Sequence, residues 1–132
     1  SDAASRLALE KLEAVGLAHK LDTLAGDISH GDKRKLEIAV LLATEASIVL
    51  LDEPMAGVAS GDVAGLVENI REMQRETGAT VLMVEHHIDV LMGLVDLVAV
   101  MYFGTIIALD TPAQIMANPT VQSAYLGTGT AA

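Results

Sequence analysis

The chain has 132 residues and a mass of 13.8 kDa, which is enough for one modest domain with a buried core. Eight Lys and Arg against eighteen Asp and Glu give a formal net charge of −10, which argues against a nucleic-acid-binding module and against a polybasic membrane anchor. The absence of Cys excludes disulfides, thiolate metal sites and a Cys nucleophile. Mean hydropathy is nevertheless high, at +0.45, and only 2% of the residues are aromatic.

One source of the apolar excess is residues 90–109, which have the length of a membrane-spanning helix and a single charge, Asp96. A carboxylate in hydrocarbon is costly, and Gly93 and Gly104 interrupt the run, so the sequence favours buried strands here. The first residues also lack the basic and apolar pattern of a secretory signal. We therefore expect a cytosolic location.

The first third of the chain predicts two helices. Residues 4–15 have helical apolar spacing and end before Gly16. A second helix begins at Ser29, whose side chain can cap it, with Asp32 three positions further on. The predicted apolar face of this helix is Leu36, Ala39, Val40 and Ala43.

The middle of the chain predicts a strand–helix–strand unit. Residues 48–51 and 80–84 are continuous apolar runs, typical of strands buried on both faces. The helix between them begins at Ser60 and ends at Gly78. Its apolar stripe is Val63, Leu66, Val67, Ile70 and Met73. Because a strand–helix–strand crossover joins parallel strands, we expect the two strands to be parallel neighbours or near neighbours.

The last third predicts a short helix near residues 88–92, then a hairpin of strands 97–102 and 105–109 with its turn at Gly104. Two helices follow, each led by a capping residue and a proline, at Thr111-Pro112 and Asn118-Pro119. Gly127 is expected to stop the last one. The order of elements predicts the α/β class.

Charged residues follow both predicted parallel strands. Asp52 and Glu53 come after the first strand, and Glu85 and His86 come after the second. Because ligands bind outside the carboxyl ends of parallel strands, we interpret these residues as one site, although polar residues also end strands simply where solvent begins. Neighbouring carboxylates in an extended chain point different ways, so one can hold Mg²⁺ while the other orients or deprotonates water. His86 can stabilise charge on a transferred phosphoryl group.

Ser29, His30 and Gly31 lie at the predicted start of the second helix. Unpaired N–H groups, the helix dipole and a hydroxyl together form an anion site, and Gly31 permits close backbone approach. By itself a serine at this position usually only caps the helix. Its place ahead of the apolar strand and Asp52-Glu53 favours the anion site.

In this order, the three motifs resemble the ATPase of ABC transporters. Residues 28–32 (Ile-Ser-His-Gly-Asp) are similar to the signature motif, whose consensus is Leu-Ser-Gly-Gly-Gln. Residues 48–54 (Ile-Val-Leu-Leu-Asp-Glu-Pro) resemble Walker B with its following Glu, and residues 84–86 (Val-Glu-His) resemble the switch histidine segment. Residues 33–39 and 54–57 further resemble ATP-binding subunits of branched-chain amino acid importers, with urea and related amide importers close to them.

The resemblance implies a partial P-loop-NTPase-like sheet, mostly parallel, with a C-terminal hairpin and flanking helices. Residues 1–47 would be the end of the helical subdomain with its signature helix, and residues 48–132 the core sheet and C-terminal helices. The complete domain would use ATP and Mg²⁺ and would pair head-to-tail with a second ATPase subunit. Transmembrane permease subunits would be its other partners, on the inner face of the plasma membrane.

The resemblance also implies a role for each candidate residue. Asp52 would serve Mg²⁺, Glu53 the hydrolytic water, and His86 the γ-phosphate and the dimer contact. The signature contact with ATP on the partner subunit would come from Ser29, His30, Gly31 and Asp32.

Several features depart from the family pattern. His30 replaces the first signature Gly, and Asp32 replaces Gln, so we expect Asp32 to cap the helix rather than touch ATP. Residues 56–59 (Ala-Gly-Val-Ala) lack the D-loop Asp. No Walker A, Gly-x-x-x-x-Gly-Lys-Ser/Thr, is present, because none of the four Lys follows a Gly.

Without Walker A, we expect the chain alone neither to bind ATP tightly nor to hydrolyse it. We expect its uncovered apolar strand faces to drive self-association. Two alternatives remain: a non-catalytic half-domain that acts by associating with a complementary chain, and a metal site at residues 85–89. Adjacent histidines at a strand end point apart, which counts against the metal site.

Overall fold

A computed structural model describes residues 2–126 and divides the chain into two compact units, residues 1–86 and 87–132. The elements of the first unit are α1 (Asp2–Ala14), a 3₁₀ turn (Ala18–Lys20), α2 (His30–Thr44), β1 (Ile48–Asp52), α3 (Ser60–Thr77) and β2 (Thr80–Val84). The α/β class predicted from the sequence is confirmed.

The helix boundaries of the first unit follow from local chemistry. Ser29 caps α2 by accepting a hydrogen bond from the Asp32 N–H at 3.1 Å. The chain leaves α1 and α3 through Gly16 and Gly78, both with positive φ, at +79° and +65°. All of these boundaries were predicted from the sequence.

The two strands of the first unit pair in parallel, with Ile48 opposite Thr80 and Asp52 opposite Val84. The Glu53 N–H continues this pairing by donating to the Val84 carbonyl at 2.7 Å. The predicted parallel pairing is confirmed, and it brings the carboxyl ends of both strands to one edge.

The core of the first unit lies between the helices and one face of this strand pair. Its most deeply buried side chains are Leu17, Ile38, Met55, Leu66 and Met73. Helix α2 packs against both α1 and α3. Val49 and Leu51 of β1 point into the same core.

The strands are covered on one face only, in agreement with the expectation of uncovered apolar strand faces in this chain. Ile48 and Leu50 of β1 are 67% and 69% exposed, and Leu82 and Val84 of β2 are 62% and 58% exposed. Leu50 pairs directly with Leu82. We call these four residues the open sheet face, because no described element of the first unit covers them.

The predicted apolar face of α2 is also wrong in part. The structure buries Ile38, Ala39 and Leu42, whereas Val40 is 57% exposed. Residues 38–42 are all apolar, so the sequence offers two adjacent stripes, and packing against α1 and α3 selects one of them.

The second unit contains α4 (Ile88–Leu94), β3 (Val98–Tyr102), β4 (Thr105–Asp110), α5 (Pro112–Met116), α6 (Pro119–Val121) and a π-helical turn (Gln122–Leu126). Strands β3 and β4 form the predicted antiparallel hairpin, with a bulge between Val100 and Met101. Phe103 and Gly104 both have positive φ, as a tight hairpin turn requires. Residues 90–109 therefore divide among a helix and two strands.

Side-chain caps begin the last two helices, as predicted. Thr111 accepts from the Gln114 N–H, and Asn118 accepts from the N–H groups of Thr120 and Val121. The core of this unit is Val98, Val100, Ile115 and Val121. The expected stop at Gly127 lies outside the described residues. Within residues 2–126, no helix has the length and apolar character needed to cross a membrane.

Lys11 links α1 to the end of α3. Its Nζ donates to Glu76 at 2.9 Å and to Glu10 at 3.1 Å, and its side chain is only 10% exposed. The hydrogen bond to Glu76 and, after it, the one to Glu10 raise the pKa of Lys11 above its usual 10.5. The ammonium is therefore charged throughout the neutral range.

We predict that Lys11→Met lowers Tm by several degrees, measured by circular dichroism. The matched control is Arg6→Met on the same helix, whose ion pair with Asp2 is exposed on both sides and should contribute little. Because folding raises the Lys11 pKa, the decrease in Tm caused by Lys11→Met should have its full size below pH 10.5. The decrease should become smaller as the pH rises above 10.5 and the wild-type lysine loses its charge. Equal losses in the two variants would contradict this role for Lys11.

Candidate functional site

The carboxyl ends of β1 and β2 place two predicted site residues in direct contact. His86 Nδ1 lies 3.2 Å from Glu53 Oε1. A carboxylate only accepts, so Nδ1 carries the proton and donates to Glu53. The His86 side chain is 67% exposed and that of Glu53 is 49% exposed, which leaves the pair open to a ligand. Asp52, directly before Glu53, is also exposed.

Glu53 has an unusual backbone conformation. Its φ is +49°, a left-handed value that costs a residue with a side chain about 1–2 kcal/mol. Two hydrogen bonds hold the backbone there, since its N–H donates to Val84 and its carbonyl accepts from the Ala56 N–H at 3.0 Å. Strain of this kind often occurs at functional sites.

Glu85 has a structural role in the site that was not predicted from the sequence. Its side chain has an exposed fraction of 0%, and its two oxygens accept different backbone N–H groups. Oε1 accepts from His86 at 2.9 Å, and Oε2 accepts from Met55 at 3.1 Å. Glu85 thereby ties the segment after Glu53 to the residue that contacts Glu53. The expectation that the adjacent histidines point apart is wrong, because ligand atoms of Glu85, His86 and His87 lie within 4.8 Å of one another. A metal ion held there would share a Glu85 carboxylate that already accepts two backbone N–H groups.

The burial of Glu85 follows from the alternation of β2 in the structure. In β2 the exposed residues are Thr80, Leu82 and Val84, and the residues between them are less exposed. Glu85 continues the inward phase of this alternation. A carboxylate placed there by period two is expected to be buried and to need hydrogen-bond donors.

The four signature candidates lie around the first turn of α2. The Ser29 hydroxyl accepts the Asp32 N–H, which leaves its own hydrogen available to donate to an anion. Gly31 is buried, and a Cβ there would lie 3.0 Å from Asp62 Oδ2. The small size of Gly31 therefore serves the close approach of α2 to α3, a reason different from the predicted approach to a ligand.

The imidazole of His30 contacts its own chain. Its Nε2 lies 3.0 Å from the carbonyl oxygen of Ala56, three residues after Glu53. The first turn of α2 and the segment that follows β1 are thus in contact through one side chain. No sequence pattern predicts this contact.

We predict that Glu85→Leu destabilises the chain by about 1.5–3 kcal/mol, because two N–H groups lose a charged acceptor. Urea unfolding measures the loss, and the amide NMR signals of Met55 and His86 should shift. Glu68→Leu is the matched control, since Glu68 is 60% exposed on α3 and its ion pairs should contribute less than about 1 kcal/mol. If Glu85→Leu costs no more than Glu68→Leu, Glu85 does not tie these segments together.

Comparison with known families gives two matches. A family described as ABC transporter matches residues 2–56, and one described as Branched-chain amino acid ATP-binding cassette transporter matches residues 105–131. A solved nucleotide-free ATP-binding cassette from an ABC transporter superposes with a TM-score of 0.85 at 29% identity, covering 95% of this chain and 51% of that one. The cbiO1 structure from Clostridium perfringens, part of the ABC transporter complex cbiONQ, gives a TM-score of 0.79 at 31% identity over 89% and 47%.

Curated relatives agree with these matches. The high-affinity branched-chain amino acid transport ATP-binding protein LivG of Escherichia coli K12 is 40% identical over 88% of this chain and 46% of its own length. BraF of Pseudomonas aeruginosa, a protein of the same description, is 38% identical over the same shares. The chain thus spans about half the length of the relatives it matches. On these matches and this fold, the chain belongs to the ABC transporter ATP-binding family.

Proposed function

We propose that this chain is the C-terminal portion of an ATPase domain that powers an ABC importer of branched-chain amino acids. Residues 1–47 supply the end of the helical subdomain, and residues 48–132 supply the core sheet and C-terminal helices. The observation that carries the proposal is the contact between Glu53 and His86 next to Asp52. The names of the relatives support the substrate class. A urea or amide importer is the alternative substrate assignment.

The residues at the strand ends fit the chemistry of a Mg-nucleotide. Mg²⁺ prefers oxygen ligands, and Asp52 offers an exposed carboxylate at the end of β1 to hold it directly or through water. When bound, the ion neutralises charge on the phosphates. Glu53 orients the attacking water and accepts its proton.

His86 has a defined hydrogen-bonding role in this proposal. Its Nδ1 donates to Glu53, and Nε2 is the nitrogen proposed to engage the γ-phosphate. A phosphate oxygen only accepts, so Nε2 engages it when both ring nitrogens carry protons. His86 then donates to Glu53 and to the γ-phosphate at the same time.

The signature residues complete the site from a second subunit. The hydroxyl of Ser29 and the N–H groups of His30 and Gly31 at the start of α2 suit a phosphate anion, whereas the Asp32 N–H already donates to Ser29. In a head-to-tail dimer they contact ATP bound to the partner subunit. The assembly binds permease subunits and lies on the inner face of the plasma membrane.

We predict that the purified chain does not turn over Mg-ATP, and that hydrolysis appears when a Walker-A-bearing N-terminal half of a relative is added. Glu53→Gln in the mixture should lower turnover at least about 100-fold, as expected for loss of a general base. Glu72→Gln is the matched control, because Glu72 is an exposed residue on α3.

Two results would count against this function. A stable mixed complex without turnover would favour the non-catalytic half-domain. Turnover by the chain alone above its Glu53→Gln variant would contradict the need for Walker A.

The open sheet face supports self-association of this chain. Four large aliphatic residues, Ile48, Leu50, Leu82 and Val84, lie side by side on two paired strands and are 58–69% exposed. Contiguous exposed apolar surface of this kind marks an interface. In the proposed whole domain, further chain covers this face, and in the isolated chain a second copy does.

We predict that Leu50→Glu/Leu82→Glu converts the chain from an oligomer to a monomer in analytical ultracentrifugation. The same substitution should reduce binding of a hydrophobic dye. Leu7→Glu/Leu9→Glu on α1 is the control, because these two leucines are also exposed but lie on a helix away from the strand pair. A wild-type chain that is monomeric at high concentration and fails to bind the dye would overturn the proposal.

A further inference from the structure

His30 and Gly57 are in close contact although they are far apart in the chain. His30 begins α2, and its Nε2 lies 3.0 Å from the carbonyl oxygen of Ala56. Because a carbonyl only accepts, Nε2 is the protonated nitrogen and donates this hydrogen bond. The imidazole therefore joins the start of α2 to the backbone of the segment that follows Glu53.

Gly57 is matched to this imidazole. A Cβ built at Gly57 would lie 2.8 Å from His30 Nε2 and 2.9 Å from His30 Cδ2, distances that real Cβ atoms do not show. Gly57 also has a φ of +72°, which side-chain-bearing residues rarely adopt. A side chain at position 57 would therefore have to displace the exposed His30 ring.

Ala56 connects the His30 contact to the backbone of Glu53. The Ala56 N–H donates to the Glu53 carbonyl at 3.0 Å, and the Val58 N–H donates to the Met55 carbonyl at 3.1 Å. Met55 is 1% exposed, which anchors the turn in the core. His30 is therefore connected through Ala56 to the turn that holds Glu53 at its left-handed φ.

We propose that His30 is a positioning residue, which couples the Ser29 end of α2 to the turn carrying Glu53 through its matched contact with Ala56 and Gly57. The proposal rests on the proposed function for the roles of Ser29 and Glu53. It accounts for two departures from the family pattern with one contact. A glycine at position 30 would have no side chain to make this link. The link also joins the start of α2 to residues 56–59, the segment in which the family's Asp is absent.

A double-mutant cycle on thermal unfolding of this chain tests the matched contact. Gly57→Ala should lower Tm by at least about 3 °C more than Gly16→Ala or Gly78→Ala. These two controls have φ of +79° and +65° with nothing within 4 Å of a built Cβ, so they report backbone strain alone. In the His30→Ala background, Gly57→Ala should cost no more than the controls. Equal costs of Gly57→Ala in both backgrounds would overturn the matched contact.

Amide hydrogen exchange tests the transmission of a change at Ser29. Ser29→Ala removes the cap bond to Asp32 and should raise exchange of the Ala56 N–H, which bonds to Glu53, at least about 5-fold. In the His30→Ala background the same substitution should leave exchange at Ala56 unchanged. His30→Gln, whose amide can donate, should restore the response, and His30→Phe should not. A response at Ala56 that is independent of residue 30 would overturn the positioning role.

Both measurements are made without nucleotide. If the Glu53→Gln hydrolysis experiment fails while the cycle and the exchange response succeed, the proposed function is wrong and the coupling remains. If hydrolysis is restored and the coupling is absent, only the positioning role of His30 is wrong.

Discussion

The parallel register of β1 and β2 is the constraint on which the site depends. Asp52 pairs with Val84, and the Glu53 N–H extends the pairing to the Val84 carbonyl. This places the residues that follow the two strands on the same edge, where Glu53 meets His86. A slip of one residue would exchange the two faces of β2, so that Glu85 would lose its donors in the interior. The contact between Glu53 and His86 thus follows from backbone pairing before any side chain is considered.

The same alternation explains the unusually high mean hydropathy. Inward positions of β1 build the core with Val49 and Leu51, and outward positions carry Ile48 and Leu50, which are equally apolar. A strand pair with one solvent-facing side normally alternates apolar and polar residues. Part of the apolar excess of the chain is therefore located on the open sheet face.

Much of the fold was predictable because its signals are local. Ser29 with Asp32, and Asn118 with Pro119, specify helix starts within four residues, and the glycine at position 78 specifies a helix end. The convergence of Glu53 and His86 was predictable from a general rule about parallel strands. These predictions needed no knowledge of how helices pack.

The remaining parts of the site depend on tertiary packing. The buried stripe of α2 could not be chosen from five consecutive apolar residues, and the contact of His30 with Ala56 requires α2 to lie against a turn 26 residues away. The alternation of β2 accounts for the inward position of Glu85. The N–H groups from which its two oxygens accept hydrogen bonds could not be predicted. Such contacts cannot be predicted from the sequence pattern, because the same residues would have other partners if the helices packed differently.

At Glu53, the residue type that would best stabilise the left-handed backbone differs from the one that supplies the carboxylate. The left-handed conformation costs about 1–2 kcal/mol, and Gly or Asn at position 53 would recover part of that free energy of folding. Either residue would also remove the carboxylate that contacts His86. Laboratory selection for thermostability alone would therefore favour replacing Glu53 early. Glu53 is thus a residue whose identity the local backbone conformation does not favour.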